Sequence, residues 1–173
     1  MPLLRISLSS QGSSNIISIT DSLAICEFLA ESQPQLPLWP ENRKLRALAK
    51  CAVAEMHAGF LHVRNCFPTN FVGSYTGNIP VTAPAGKEIE RILTNWDHSR
   101  MVTSETLRDI GEKDDGFLFG RFGIADAFFW PVLWVCCFCS FPNLPQLSCF
   151  IFVSPSEPAY SRILANLSFL CHH

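Results

Sequence analysis

The chain has 173 residues, 48% of them hydrophobic, and its 13 Lys and Arg against 15 Asp and Glu leave a formal net charge of −2. That balance provides no basic field for nucleic acid and no acidic tail. The start lacks the order of charged, apolar and small residues that marks a secretory leader. The longest uncharged apolar stretch, Ala127–Phe141, is shorter than the ~18–20 residues of a spanning helix and contains Pro131. A soluble, cytoplasmic protein is expected, with neither nucleic acid nor membrane as partner.

Leu3–Leu8 and Ile16–Ile19 read as two strands, with the serine-rich run Ser9–Ser14 as the turn between them. Asp21 or Ser22 offers a side-chain oxygen to cap a helix that carries Leu23, Ile25, Cys26 and Leu29 as its apolar stripe. Pro34 and Pro37 end that helix, and Gln33–Pro40 forms a proline-stiffened linker. From Arg43, the residues Leu45, Leu48, Ala49, Ala52, Val53, Met56, Phe60 and Val63 recur at three- and four-residue steps. They predict one long helix closed by Pro68, with Arg43, Lys44, Arg46 and Lys50 on its opposite face.

A loop is expected from Thr69 to Pro84. After it come a helix with Ile89, Ile92, Leu93 and Trp96 on one face, and a separate one capped by Thr103 or Ser104 that stops at Gly111. Ile124 to about Val135 is apolar nearly all round, the pattern of a helix buried at the centre of a bundle. Residues 135–173 then carry only two charged side chains, Glu157 and Arg162, and prolines and serines interrupt their periodicity. The expected organisation is residues 1–33 as a small α/β unit, 34–42 as linker, 43–134 as a helical domain and 135–173 as an atypical tail.

Of the eight cysteines, Cys26, Cys51 and Cys66 fall in helix-like segments, where a buried thiol acts as a small hydrophobe. Cys136, Cys137, Cys139, Cys149 and Cys171 all follow Trp134, and with His172 and His173 they lack the paired spacing of structural zinc sites. Reduced thiols and no bound metal are expected.

Two runs carry a family resemblance. The first is Asp21-Ser22-Leu23-Ala24-Ile25; the second is Phe117-Leu118-Phe119-Gly120-Arg121-Phe122-Gly123-Ile124-Ala125-Asp126-Ala127, with Leu38-Trp39-Pro40 between them. In this order they resemble the glutathione S-transferase family over roughly residues 1–134. Ala54 to Arg64 is most similar to bacterial and fungal members related to the zeta, or maleylacetoacetate isomerase, class. The resemblance implies a mainly α protein with a small α/β remnant. An incomplete thioredoxin-like domain of two strands and a helix would precede an all-helical bundle of the family's C-terminal type.

The resemblance also assigns residues. Asp21 and Ser22 would receive the γ-glutamyl group of glutathione at a helix N-terminus, where unpaired N–H groups favour a carboxylate. Pro2 stands where the family has a cis-proline, and Met1 where a backbone group pairs with the cysteinyl part of glutathione. His57, Phe60 and Arg64 could face an electrophile pocket, with core packing and solvated surface as the plain alternatives. Gly123 and Asp126 match the capping box of the central helix, with Gly123 lacking the usual hydroxyl; Asp126 reads as structural.

No residue matches the family's thiol-activating Ser, Tyr or Cys, because the strand and helix that bear it would lie ahead of residue 1. The resemblance therefore implies a glutathione-dependent conjugation or a maleylacetoacetate-type isomerisation with impaired catalysis. It implies glutathione and a small electrophile as ligands, and a homodimer as the usual assembly. A non-catalytic helical interaction module is the alternative.

Overall fold

The computed structural model describes residues 2–10, 13–67 and 81–138. The chain runs β1 (Leu4–Ser10), β2 (Ser13–Ile19), α1 (Ser22–Ser32), α2 (Arg43–Ala58), α3 (Leu61–Cys66), α4 (Ala83–Ile110) and α5 (Ile124–Phe138). It is mainly helical, with one antiparallel pair of strands. Among the described residues no helix is long and apolar enough to cross a membrane.

β1 and β2 pair from Leu4 opposite Ile19 to Ser10 opposite Ser13. The ladder thus runs further into the serine-rich segment than the expected turn allowed. Its hydrogen bonds are made by main-chain groups, so Ser9 opposite Ser14 pairs as readily as Ile6 opposite Ile17. One face of the hairpin carries Leu4, Ile6, Ile17 and Ile19, while Ile16 is 66% exposed beyond it.

Asp21 caps α1 in extended conformation, its side chain accepting from Ala24 N. No residue of α1 is fully buried. Leu23, Cys26 and Ala30 lean on the core, and Glu27 pairs with Lys50 of α2 at 3.0 Å. Of the expected stripe, Leu29 faces outward, so the contact face of α1 is narrower than its sequence suggests.

The core lies among α2, α4 and α5. Leu45, Ala49, Val53 and Met56 of α2 meet Ile89, Ile92, Leu93 and Trp96 of α4 and Phe129 of α5. Trp96 and Phe129 pack edge to face with centroids 5.5 Å apart, the arrangement that ring quadrupoles favour. Glu55 of α2 ties this layer to α4, accepting from Arg91 Nε at 2.9 Å and Asn95 Nδ2 at 2.7 Å.

Two expected helices differ. The long helix from Arg43 breaks at Gly59–Phe60: α2 ends with the Gly59 N–H on Glu55 O, and Phe60 takes a left-handed conformation, φ 59° and ψ 42°. The apolar period continues straight through this break, so it could not report it. A non-glycine residue pays ~1–2 kcal/mol for that conformation, and burying the Phe60 ring returns ~1.5–3 kcal/mol. Glu88 of α4 then accepts from Val63 N at 2.8 Å, satisfying a donor in the first turn of α3.

Conversely, the two helices expected between residues 84 and 110 are one helix of 28 residues. Thr82 caps it, Pro84 sits in its first turn where no N–H is missed, and Gly111 ends it at φ 71°. Thr103 is not a cap. It is fully buried in mid-helix, and its hydroxyl donates to Leu118 O at 2.9 Å. Arg100 clasps Asp114 with both terminal nitrogens and also donates to Phe117 O. These contacts fold the 112–123 segment back along α4.

Candidate functional site

At the start of α1 the Asp21 carboxylate is held from two sides. Oδ1 accepts from Ala24 N at 2.9 Å, as an N-cap should. Oδ2 lies 2.9 Å from His57 Nε2, which α2 brings across from the bundle. The Ala24 N–H is the largest influence holding the Asp21 carboxyl below its ordinary value, and the His57 charge adds to it. Ser22, the first residue of α1, is half-buried, and its hydroxyl has no hydrogen-bond partner among the described residues.

His57 is itself oriented by Phe128 of α5, edge to face at 6.0 Å. Asp21 and His57, assigned separately to a glutathione site and an electrophile pocket, are thus direct neighbours. The other two expected pocket residues are engaged elsewhere. Phe60 is buried in the core, and Arg64 turns back to donate to Gly59 O at 3.1 Å and to Met56 O, satisfying carbonyls at the end of α2. Core packing is the alternative expected for Phe60; the turn of Arg64 onto the α2 carbonyls depends on the break after Ala58 and is not visible in the sequence.

Pro2 is exposed just ahead of β1. Met1, and with it the peptide bond at which a cis-proline is expected, lies outside the described residues. Cys26 is the thiol nearest this site in sequence. Burial, then the Glu27 and Asp21 charges, push its thiol up, the opposite of what activates a nucleophile.

Gly123 and Asp126 meet as a half capping box. Asp126 Oδ2 accepts from Gly123 N at 3.0 Å, and Oδ1 reaches across to Leu118 N at 3.1 Å. Burial pushes the Asp126 carboxyl up to about 6, against the opposing pull of those two N–H groups. The missing hydroxyl has a steric cause. Ile124 N donates to Leu38 O at 3.0 Å, and a Cβ on Gly123 would lie 2.9 Å from that same carbonyl oxygen. The linker therefore presses on the start of α5 so closely that only glycine fits.

A recess of about 250 Å³ opens at this junction, with Leu38, Trp39, Leu45, Leu107 and Phe119 in its walls beside Gly123 and Asp126. Trp39 Nε1 is enclosed without a hydrogen-bond partner among the described residues. None of Asp21, Ser22, His57, Phe60 or Arg64 lines the recess.

Among the described residues no three His, Cys, Asp or Glu side chains converge as a metal set. The side chains of Cys136, Cys137, Cys139, Cys149, Cys171, His172 and His173 lie outside those described. Compared with known proteins, the chain matches no family model, and no curated protein is significantly similar to it.

Proposed function

We propose that this chain is a glutathione S-transferase-like protein that binds the γ-glutamyl end of glutathione at the N-terminus of α1. The observation that carries this reading is the Asp21–Ser22 step itself. A hairpin leads directly into a helix whose first turn presents a positioned carboxylate and a hydroxyl without a partner, beside the positive end of the helix dipole. The carboxylate suits the ammonium of a γ-glutamyl group, and Ser22 with the first-turn N–H groups suits its carboxylate.

Two reaction classes follow from the resemblance: addition of the glutathione thiol to an electrophile, or a glutathione-assisted isomerisation of the maleylacetoacetate type. Either needs a thiol-activating group that no position of this chain matches. The proposal is accordingly a glutathione-binding protein with weak or absent turnover, cytoplasmic and homodimeric as its relatives by resemblance are. A helical interaction module is the second reading, favoured by the exposure of Leu3, Ile16, Ile17 and Leu29 on the hairpin and α1.

Thermal unfolding of the purified chain with and without millimolar glutathione tests the choice. A ligand at ~100 times its dissociation constant stabilises by ~2.7 kcal/mol, several degrees for a chain of this size. The expected result is a cooperative transition that moves up with glutathione and stays put in Asp21→Ala. A cooperative transition indifferent to glutathione would overturn the proposal in favour of the interaction module.

A further inference from the structure

We infer that β1, β2 and α1 form a flap that undocks from the helical bundle about a hinge at Gln33–Pro37, while the bundle from Leu38 onward stays folded. The inference does not rest on the glutathione reading, but it bears on it, because opening parts Asp21 from His57.

Burial divides the chain at this hinge. Among the described side chains none before Leu45 is buried, and the buried core runs from Leu45 to Val132. α1 reaches that core only through side chains that are half-buried, Leu23, Cys26 and Ala30. Among the described residues no main-chain hydrogen bond joins the flap to the bundle. Its side-chain links are Glu27 with Lys50 at 3.0 Å and Asp21 with His57 at 2.9 Å, the four side chains being 32–52% exposed. Ion pairs that open to water contribute little. Lys50 and His57, two turns apart, share one face of α2, so α1 is moored along that face alone.

The hinge lies between two anchored ends. On the flap side Gln33 N donates to Leu29 O and closes α1. On the bundle side Leu38 O accepts from Ile124 N at 3.0 Å, Trp39 lies under Lys50 at 5.3 Å, and Arg46 donates to Pro40 O and Glu41 O. Pro34, Gln35, Leu36 and Pro37 between them are all exposed, and bending there breaks no hydrogen bond to the bundle among the described residues. A short helix and a two-stranded hairpin are each marginal in water alone, so undocking also releases their amides to exchange.

The test is native-state hydrogen exchange of the full chain by mass spectrometry, with peptide-resolved alkylation of Cys26 as a second readout. Amides of α1 are expected to exchange at least about a hundredfold faster than those of Ile89–Trp96 in α4, and still well below the rate of an unstructured chain. Cys26 should label at the rate of that same opening, and more slowly than the exposed Cys51. Leu23→Ala should speed both α1 exchange and Cys26 labelling about five- to fifty-fold, and Glu27→Gln about one-and-a-half- to five-fold. Neither should alter exchange of Ile89–Trp96. Exchange of α1 at the same rate as Ile89–Trp96, or an equal response of both in Leu23→Ala, would overturn the inference by making the chain one cooperative unit. So would α1 amides without protection and Cys26 as reactive as Cys51, since no docked state would then exist.

Discussion

Gly123→Ser is the substitution on which the local rule and the tertiary structure disagree in sign. By helix-capping chemistry alone it restores the missing half of the box ahead of Asp126, and exchanging Gly for Ser at an N-cap is favourable by a few tenths of a kcal/mol. In the folded chain, a Cβ on residue 123 would lie 2.9 Å from Leu38 O, a main-chain atom that cannot swing aside. To make room, the linker must retreat and the hydrogen bond from Ile124 N to Leu38 O, now 3.0 Å, is stretched or lost. That bond is worth ~0.5–1.5 kcal/mol and overpacking adds ~1–3 kcal/mol, so the clash outweighs the cap. The expected outcome is a net loss of ~1–4 kcal/mol, or ~2–16 °C in Tm at ~2–4 °C per kcal/mol. Urea unfolding followed by far-UV circular dichroism measures it, with Gly123→Ala as the control that carries the clash without the hydroxyl. Gly123→Ala should fall ~0.5–2 kcal/mol below Gly123→Ser. A Gly123→Ser chain as stable as the parent would refute the close approach of linker and helix.

Two further outcomes follow from the same core. Because burial raises the Asp126 carboxyl to about 6, the folded state holds that proton more tightly than the unfolded chain, whose carboxyl titrates near ~3.9. The group's contribution is therefore fully present below about pH 4 and is lost as the pH rises toward about 6, on the order of 2–3 kcal/mol in all. Urea midpoints across that window should decline in the parent and flatten in Asp126→Asn. That variant should also lose ~1–3 kcal/mol at acidic pH, since its amide cannot accept from both Leu118 N and Gly123 N. A slope that survives in Asp126→Asn would assign it to another group. At Phe60, removing the buried ring as Phe60→Ala should cost ~3–5 kcal/mol. Phe60→Gly should be the milder change by ~1 kcal/mol, because glycine adopts φ 59° without strain. An alanine variant more stable than the glycine one, by the same denaturation assay, would argue against the left-handed backbone at this position.

The sequence by itself determined the elements whose signals are local. A cap at Asp21 or Ser22 was legible because short side-chain acceptors stand ahead of a helix-forming run, and the structure selects Asp21; Gly111 stops α4 because a left-handed residue is needed there. The contact of Asp126 with Gly123 N was legible for the same reason, being a three-residue relation. The faces of α2 and α4 followed from their period, since apolar residues at three- and four-residue steps share one side of a helix.

What only the tertiary structure decided are the relations between residues far apart in the chain. Thr103 looked like a cap, and a cap it would have been had Leu118 O not lain within reach to take its hydroxyl inside an unbroken helix. Phe60 and Val63 extended a helical period, yet the chain breaks between them and Met56, because burying the Phe60 ring and closing off the α2 carbonyls with Arg64 outweigh one strained residue. Asp21 and His57 are 36 positions apart, and nothing in their spacing brings them together. The packing of α1 against the core does, through Leu23, Cys26 and Ala30, and a chemical pairing appears only where two surfaces have already been chosen by burial.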